Sequence, residues 1–406
     1  MSAIDLEVLK KLVAGDAVAI RGTAILEPAG GPTDKVFPPT HSVGERATTR
    51  YAFEKRRIGE REVDCVLLDS VQSQANRMEE ALQALWADKR IALPVIAVNF
   101  FDVAPDVGVV TSLTAPHRVA DALLRDSVLD GTLFRFSEIG RSFTDATPKN
   151  AAPLFKVCPT GLVFGLWDST GPKGGLGSKF ARALVSEIVG IGATAGVKTS
   201  SRIDPTGIVT KAAEIFEAKD PNERWTDDLT LAKVDNKGKP VKVGDGRVSE
   251  VNHSNIPPSI DPVAGGVTLD HALHTVVLSL AALRKLSFGD HDVQARTTLA
   301  ALGLLSILAA GSRGHDLRSR CLLVPRKGES LKLEVVCRDG ATNPVPLELD
   351  GAISLYAETV KALPDSLRFK QEAGAPLATL TPSPKLAHLI RRSRDLAATG
   401  ADIEGD

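Results

Sequence analysis

Only four cysteines occur in the 406 residues, Cys65, Cys158, Cys321 and Cys337, and no two of them form a C-x-x-C pair. That spacing excludes a zinc knuckle and a disulfide framework, and it suits a reducing cytoplasm. Net charge is nearly absent as well: 49 basic against 50 acidic side chains leave a formal −1. The molecule as a whole therefore has no electrostatic bias toward nucleic acid, and any such binding needs a locally basic face. Long apolar runs are missing; the longest, Leu299 to Ala310, is too short to span a bilayer. The first fifteen residues lack the apolar stretch and cleavage site of a signal peptide, so a soluble cytoplasmic protein without a membrane partner is expected. No G-x-S-x-G nucleophile motif and no internal repeat is found. Aromatic residues make up only 4% of the chain.

What is abundant is apolar material, 43%, together with 34 glycines and 24 prolines. This is enough for a substantial core, and the punctuation predicts many turns and long loops rather than a helical bundle. Leu6, Leu9, Leu12 and Val13 repeat at helical spacing. Ala17 to Leu26 reads as a strand with Val18, Ile20, Ala24 and Leu26 on one face and Arg21 and Thr23 on the other. A long irregular segment, Glu27 to Glu62, follows. Val63 to Leu68 reads as a strand feeding a helix with Asp69 as N-cap and Gln72 three residues on, and with Val71, Ala75, Met78, Leu82 and Leu85 on its buried stripe. Strands are expected at Pro94–Phe101, Leu162–Trp167, Phe180–Ile191, Cys321–Val324 and Leu331–Cys337. Helices are expected at Arg118–Arg125, Leu269–Leu286, Gln294–Ala309 and Lys385–Ala397, and a hairpin over Leu229–Val243. The strongest elements run strand, helix, strand, strand, helix, strand, the split βαβ or ferredoxin-like order. The fold class expected is thus α+β, with large insertions after the first and third strands.

Several groupings could carry chemistry. Gln72, Ser73, Asn76 and Arg77 fall on the outer side of the capped helix in its first two turns, where free N–H groups and the helix dipole favour a phosphate. The turn Thr170 to Lys179 holds four glycines and Lys173 and Lys179, but lacks the order of a P-loop and of the dinucleotide fingerprint; a flexible connection able to rest on a phosphate backbone remains. Basic residues gather around it, with Arg182, Lys198, Arg202 and Lys211 further on, and in the earlier stretch Arg46, Arg50, Lys55, Arg56, Arg57, Arg61, where glutamates dilute them. His271 and His274, three apart on the expected helix, with Asp270 and the later His291-Asp292, are the only histidine grouping that invites a metal reading, and the spacing is loose for one.

The run Leu67-Leu68-Asp69-Ser70-Val71-Gln72-Ser73-Gln74-Ala75-Asn76-Arg77-Met78-Glu79-Glu80-Ala81 carries a family resemblance. Lys35-Val36-Phe37-Pro38-Pro39, Leu162 to Ser169, Ala183 to Gly190 and Ser201-Arg202-Ile203-Asp204-Pro205 carry it too. Together they resemble the large backbone subunit of type I-G (formerly I-U) CRISPR Cascade complexes, in the RAMP superfamily, from about Ala17 to Val336. The resemblance implies a modified RRM or ferredoxin-like core spanning residues 1–340, with insertions at about 27–62 and 204–262 forming finger-like and thumb elements, and a C-terminal extension over 341–406. The later insertion is the expected thumb and the earlier one its rival.

It further implies a ribonucleoprotein filament of antiviral defence. Copies of the chain assemble head to tail along CRISPR RNA, bind other Cascade subunits, and meet target DNA only through base pairing with the RNA. The implied RNA-binding residues are Gln72, Ser73, Asn76 and Arg77, then Lys35, Arg46, Arg50, Lys173, Lys179 and Arg202, with Arg21 and with Arg313 beside Gly311 and Gly314, where Arg318 also lies. Related type III subunits cut target RNA with an acidic loop residue, for which Asp34 and Asp168 are the positional counterparts. Type I complexes leave cutting to another protein, so no enzymatic activity, catalytic residue, metal or cofactor is expected. The alternative is a metal-dependent RNA-processing endoribonuclease using His253, His271 or His274.

Overall fold

The computed structural model describes residues 4–42, 44, 48–170, 178–220 and 222–398. Two compact units appear. The first is built from Met1–His41, Tyr51–Thr194 and Val267–Leu386, the second from Ser42–Arg50, Ala195–Gly266 and Ala387–Asp406.

In the first unit helix α1 (Leu6–Ala14) starts on Asp5, whose carboxylate accepts from the Val8 N–H. Strand β1 (Ala19–Pro28) follows, then the hairpin β2 (Phe53–Ile58) and β3 (Arg61–Asp69), and helix α2 (Val71–Ala87). After a large excursion come β4 (Leu184–Ile191) and β5 (His271–Ser279), helix α3 (Asp292–Gly311), strands β6 (His315–Arg318), β7 (Cys321–Pro325), β8 (Lys332–Val336) and β9 (Thr342–Val345), and helix α4 (Leu349–Lys361). The nine strands make one antiparallel sheet in the order β6-β7-β1-β5-β4-β3-β2. The other edge of β1 is shared: β8 pairs with its first half and β7 with its end. Reduced to β1, α2, β4, β5, α3 and β7/β8, the spatial order is fourth-first-third-second, which is the ferredoxin-like arrangement; β3 and β2 extend it beyond β4.

Alternation along the strands decides the layers. Ile20, Ala24 and Leu26 of β1, Leu184 and Ile188 of β4, and Ala272, Val276 and Leu278 of β5 are buried on the face covered by α2 and α3. α1, α2 and α4 all pack on α3 as well, so α3 is apolar nearly all round rather than along one stripe. By length and composition Gly289–Gly311 would pass for a membrane span; here it is the central core helix. The excursion between α2 and β4 forms a small five-stranded sheet in which Ala378–Pro382, from the C-terminal part, pairs with Ile96–Asn99. In the second unit Lys198–Arg202 pairs with Ile256–Asp261, and Ile215, Phe216, Ala232 and Val248 are buried.

Several expectations are corrected. Leu269–Leu286 is not a helix: His271–Ser279 is the central strand β5, followed by one helical turn, Leu280–Leu283. Leu162–Trp167 is not a core strand: Thr160–Phe164 is a short buried helix, and only Leu166–Trp167 is extended. The ferredoxin-like order holds with β5 in the place expected of that segment, and the second large insertion falls after the second core strand, not the third. The N-cap of α2 is Ser70, whose hydroxyl accepts from the Ser73 N–H at 3.2 Å, not Asp69.

Gly22 shows how tightly side chains of adjacent strands pack within the sheet. It lies on the covered face of β1 between Val276 and Leu333, and a Cβ there would stand 2.7 Å from Leu333 Cδ2 and 3.1 Å from Val276 Cγ2. A Gly22→Val chain is expected to lose about 1–3 kcal/mol through overpacking, read as a lower urea midpoint with an unchanged slope; an unchanged midpoint would refute the close packing.

Candidate nucleic-acid interface

The turn from β3 into α2 is organised by a carboxylate. Asp69 has no exposed surface; it accepts from Gln74 Nε2 at 2.6 Å, Arg77 Nε at 3.0 Å and Arg318 Nη2 at 3.4 Å. Arg77 also donates through Nη1 to the Asp316 carbonyl at 3.1 Å and through Nη2 to the Leu317 carbonyl, while Arg318 Nη1 donates to the Leu68 carbonyl at 2.8 Å. The two guanidinium groups therefore tie the start of α2 to β6.

A polar chain runs inward from there. Gln74 spends its amide N–H on Asp69, so its Oε1 accepts from Ser186 Oγ at 2.8 Å; the Ser186 oxygen in turn lies 2.9 Å from His274 Nε2. With its one proton committed to Gln74, Ser186 must accept from His274. This fixes the Nε2–H tautomer and leaves Nδ1, which is buried without a partner, as the bare nitrogen. The His315 ring stands edge-on at 5.0 Å. Burial, and secondarily the neighbouring His315, push His274 down to about 3. Burial also lowers His315, against the pull of Asp69.

Outside this network an open cleft of about 320 Å³ lies between α2 and the segment after α3, lined among others by Gln74, Arg77, Glu80, Arg313 and Asp316. Gly314, at φ +82°, turns the chain there. Arg313 is exposed and, among the described residues, has no acid within ion-pair distance. Gln72 is exposed and Ser73 and Asn76 half-buried on the first turns of α2. The structure thus brings Arg77 and Arg313 to one cleft, with Arg77 turned partly inward, whereas Gln72, Ser73 and Asn76 share the first turns of α2 but do not line it.

The other expected residues lie elsewhere. Arg21 stands on the opposite, open face of the sheet, paired with Glu334 at 2.6 Å. Lys35 is half-buried, its N–H donating to Asp34 Oδ1 at 2.8 Å. Lys179 is exposed, its Nζ 5.3 Å from the centroid of the Trp167 ring. Arg50 and Arg202 belong to the second unit, Arg202 Nη2 lying 4.0 Å from Asp204. Arg46 and Lys173 lie outside the described residues. Asp168 is buried against Arg135 at 2.5 Å and so anchors its turn instead of facing solvent.

The histidines do not share a face: an odd spacing on a strand puts buried His274 and half-exposed His271 on opposite sides of β5. His253 is in the second unit near Asp204 at 3.9 Å. Among the described residues no three His, Cys, Asp or Glu side chains are grouped to hold one metal ion. Ser186, His315 and Trp167 were not among the expected site residues, although Ser186 and Trp167 lie within runs that carry the family resemblance. For Ser186 the only signal was a polar residue on the otherwise apolar face of a strand, and for His315, in the polar run His315–Arg318, there was none.

A family model described as CRISPR-associated protein GSU0053 matches residues 20–195, somewhat under half of the chain. Over that stretch the chain is similar to that family. No curated protein matches. The solved structure of Thermofilum pendens Csc2 aligns over 96% of this chain and 80% of its own, at 11% identity and a TM-score of 0.26, too low to carry an argument.

Two outcomes follow from the network. Asp69→Ala leaves Arg77 and Arg318 without their shared acceptor. Because both guanidiniums are about a quarter exposed, the loss is expected at the low end for a broken buried pair, about 3 kcal/mol, in chemical denaturation. An effect below about 1 kcal/mol, within the range of an exposed ion pair, would remove Asp69 as the anchor. His274 gives a pH signature. The unfolded chain binds a proton below the ordinary histidine value of 6.5, whereas the folded one refuses it down to about 3. Unfolding free energy should therefore fall as the pH drops through that window, by up to about 1.4 kcal/mol per pH unit from this residue. His274→Gln should show a shallower decline than wild type between pH 6.5 and 4; parallel curves would mean that His274 is not held neutral.

Proposed function

We propose that this protein is a non-catalytic CRISPR RNA-binding subunit, repeated head to tail along the spacer RNA in the backbone of a type I-G Cascade complex in the cytoplasm. It grips phosphates and leaves sequence reading to base pairing between the RNA and target DNA. The observation that carries this reading is the coincidence of the CRISPR-associated family match with the α2 end. The matched residues 20–195 include α2. An open cleft beside that helix is lined by Arg77 and by Arg313, which has no acid within ion-pair distance among the described residues, while polar Gln72, Ser73 and Asn76 stand on the same first turns of α2 outside the cleft. Helix N–H groups, amides and guanidiniums are suited to phosphate and sugar, and none of them discriminates bases. Nothing in the geometry favours the endoribonuclease alternative, whose paired histidines stand on opposite faces of β5.

Co-expression with the companion genes and a CRISPR array, followed by sequencing of the RNA that purifies with the protein, is the test. Spacer-derived RNA of uniform length, with several copies of the chain, is expected; a protein free of RNA, or one that cuts added RNA, overturns the proposal. Within the same reading Arg313→Ala should weaken single-stranded RNA binding equally for all sequences and reduce the slope of log affinity on log salt by about 0.7, the value for one lost phosphate contact. An unchanged slope would place the phosphate elsewhere.

A further inference from the structure

Among the described residues Trp167 is one of three aromatic side chains more than half exposed, with Phe101 at 55% and Phe136 at 53%. Phe100, Phe134, Phe143, Phe155 and Phe164 are fully buried, as the size of the ring leads one to expect, whereas Trp167 is 58% exposed. Its chain neighbours, Leu166 at 5% and Asp168 at 1%, are buried. The indole therefore projects from a segment that is itself part of the packed structure, not from a loose loop.

That segment is held on every side. Gly165, at φ +87°, reverses the chain out of the helix Thr160–Phe164, and its carbonyl accepts from Arg118 Nη1 at 3.2 Å; Arg118 Nε is bound at 2.7 Å to the buried Glu79 of α2. Leu166–Trp167 pairs with Lys179–Phe180 as a two-stranded ribbon, Trp167 opposite Lys179. At the base of the glycine-rich turn, Arg135 donates to Asp168 Oδ1 at 2.5 Å and to the Thr170 carbonyl at 2.6 Å. Ser178 Oγ lies within hydrogen-bond distance of the Phe143 and Ala146 carbonyls, at 2.7 and 2.9 Å. Arg135 and Asp168 are both more than nine-tenths buried. Two buried ion pairs, Glu79–Arg118 and Asp168–Arg135, thus fix the ring from either end, the kind of support that a preorganised binding group needs.

The surroundings of the ring say what it is for. Lys179 Nζ sits over it, 5.3 Å from the centroid, and Arg125 reaches Thr170 Oγ1 at 3.3 Å. The ring is a flat apolar surface with an ammonium group against it. A flat aromatic with a cation alongside is the pairing that single-stranded nucleic acid meets in sequence-tolerant sites: the base stacks, and the phosphodiester next to it lies against the charge.

We infer that Trp167 is a stacking platform for one unpaired RNA base per copy of the chain, with Lys179 at the adjoining phosphate. This rests on the RNA-binding reading and adds to it a contact made to the face of a base, with no choice among the four. The two can fail separately.

The experiment uses the full chain with unstructured oligouridine and oligoadenosine, comparing wild type, Trp167→Ala and Trp167→Phe by anisotropy of labelled RNA and by intrinsic fluorescence. Trp86 and Trp225 remain in all three proteins, so the emission difference between wild type and Trp167→Phe isolates Trp167. RNA is expected to quench the wild-type emission and to leave Trp167→Phe emission nearly unchanged. Trp167→Ala should bind both oligonucleotides about fivefold to 150-fold more weakly, with Trp167→Phe in between and the salt slope as in wild type, because no charge is lost. The ring is exposed, so thermal midpoints of all three should coincide; a Trp167→Ala chain that melts earlier but is rescued in binding by Phe still supports the platform. Wild-type binding with unaltered Trp167 emission, and Trp167→Ala affinity within twofold of it, would overturn the platform and leave RNA binding standing. Absence of any RNA binding by wild type would overturn both.

Discussion

Asp69 is a carboxylate with no exposed surface at the point where the third strand of the sheet becomes the first long helix. Left alone, a buried charge of this kind costs several kcal/mol, and it is tolerated only when its lone pairs are filled. Here the filling groups come from distant parts of the chain: Gln74 and Arg77 from the next two turns, Arg318 from 249 residues further on. Satisfying one acid therefore brings the start of α2, the end of β3 and the strand after α3 into one place. The remaining N–H groups of Arg77, spent on the Asp316 and Leu317 carbonyls, make that register specific. The cleft beside α2 has its shape because this cluster holds its two walls.

The same device recurs. Glu79, 1% exposed, is held by Arg118; its burial pushes the carboxyl up to about 7 even against that guanidinium. Arg118 adopts a left-handed backbone, φ +55°, that a long side chain rarely takes, and its guanidinium lies 5.4 Å from the centroid of the Phe164 ring. Strain of this kind persists where the surroundings over-determine it, and the reward is a fixed carbonyl at Gly165. Asp168 and Arg135 repeat the arrangement at the base of the glycine-rich turn. In each case an arginine spans from an acid to backbone carbonyls, so irregular chain is made rigid by side chains rather than by sheet or helix hydrogen bonds.

Much of the scaffold was legible because burial and periodicity agree. The stripe of α2, the C-terminal helix Pro384–Ala398 and the outer strands all follow from where apolar residues recur. The central strand β5 was not, for two physical reasons. Its segment is rich in Ala and Leu, which favour a helix, and the apolar alternation of its buried positions is interrupted by His274, a buried polar group whose hydrogen-bond partner is Ser186 on the neighbouring strand. The short helix Thr160–Phe164 was misread because a brief apolar run buried on all sides carries no period. The displaced N-cap has a similar origin. Asp69 and Ser70 are both good caps, and the choice between them depends on arginines that no local pattern reveals.

The candidate site was legible in kind but not in allocation. Sequence marks where cations are, whereas the fold decides which of them are already spent. Arg21 meets Glu334 and Arg56 meets Glu187 across strands, so the charge on the open face of the sheet is largely neutralised in place. The five core strands β1, β4, β5, β7 and β8 also contain no Phe, Tyr or Trp. In RNA-recognition folds that read sequence, this is the face on which bases stack and are identified. Without rings and with its charges paired, it is poorly equipped for such reading, and the groups left with spare capacity, Arg313 beside α2 and Trp167 with Lys179 on the ribbon, are of kinds suited to phosphate or the face of a base rather than to base edges. A chain built in this way is suited to hold a strand whatever its sequence, which is what a guide RNA whose edges must remain open for pairing requires.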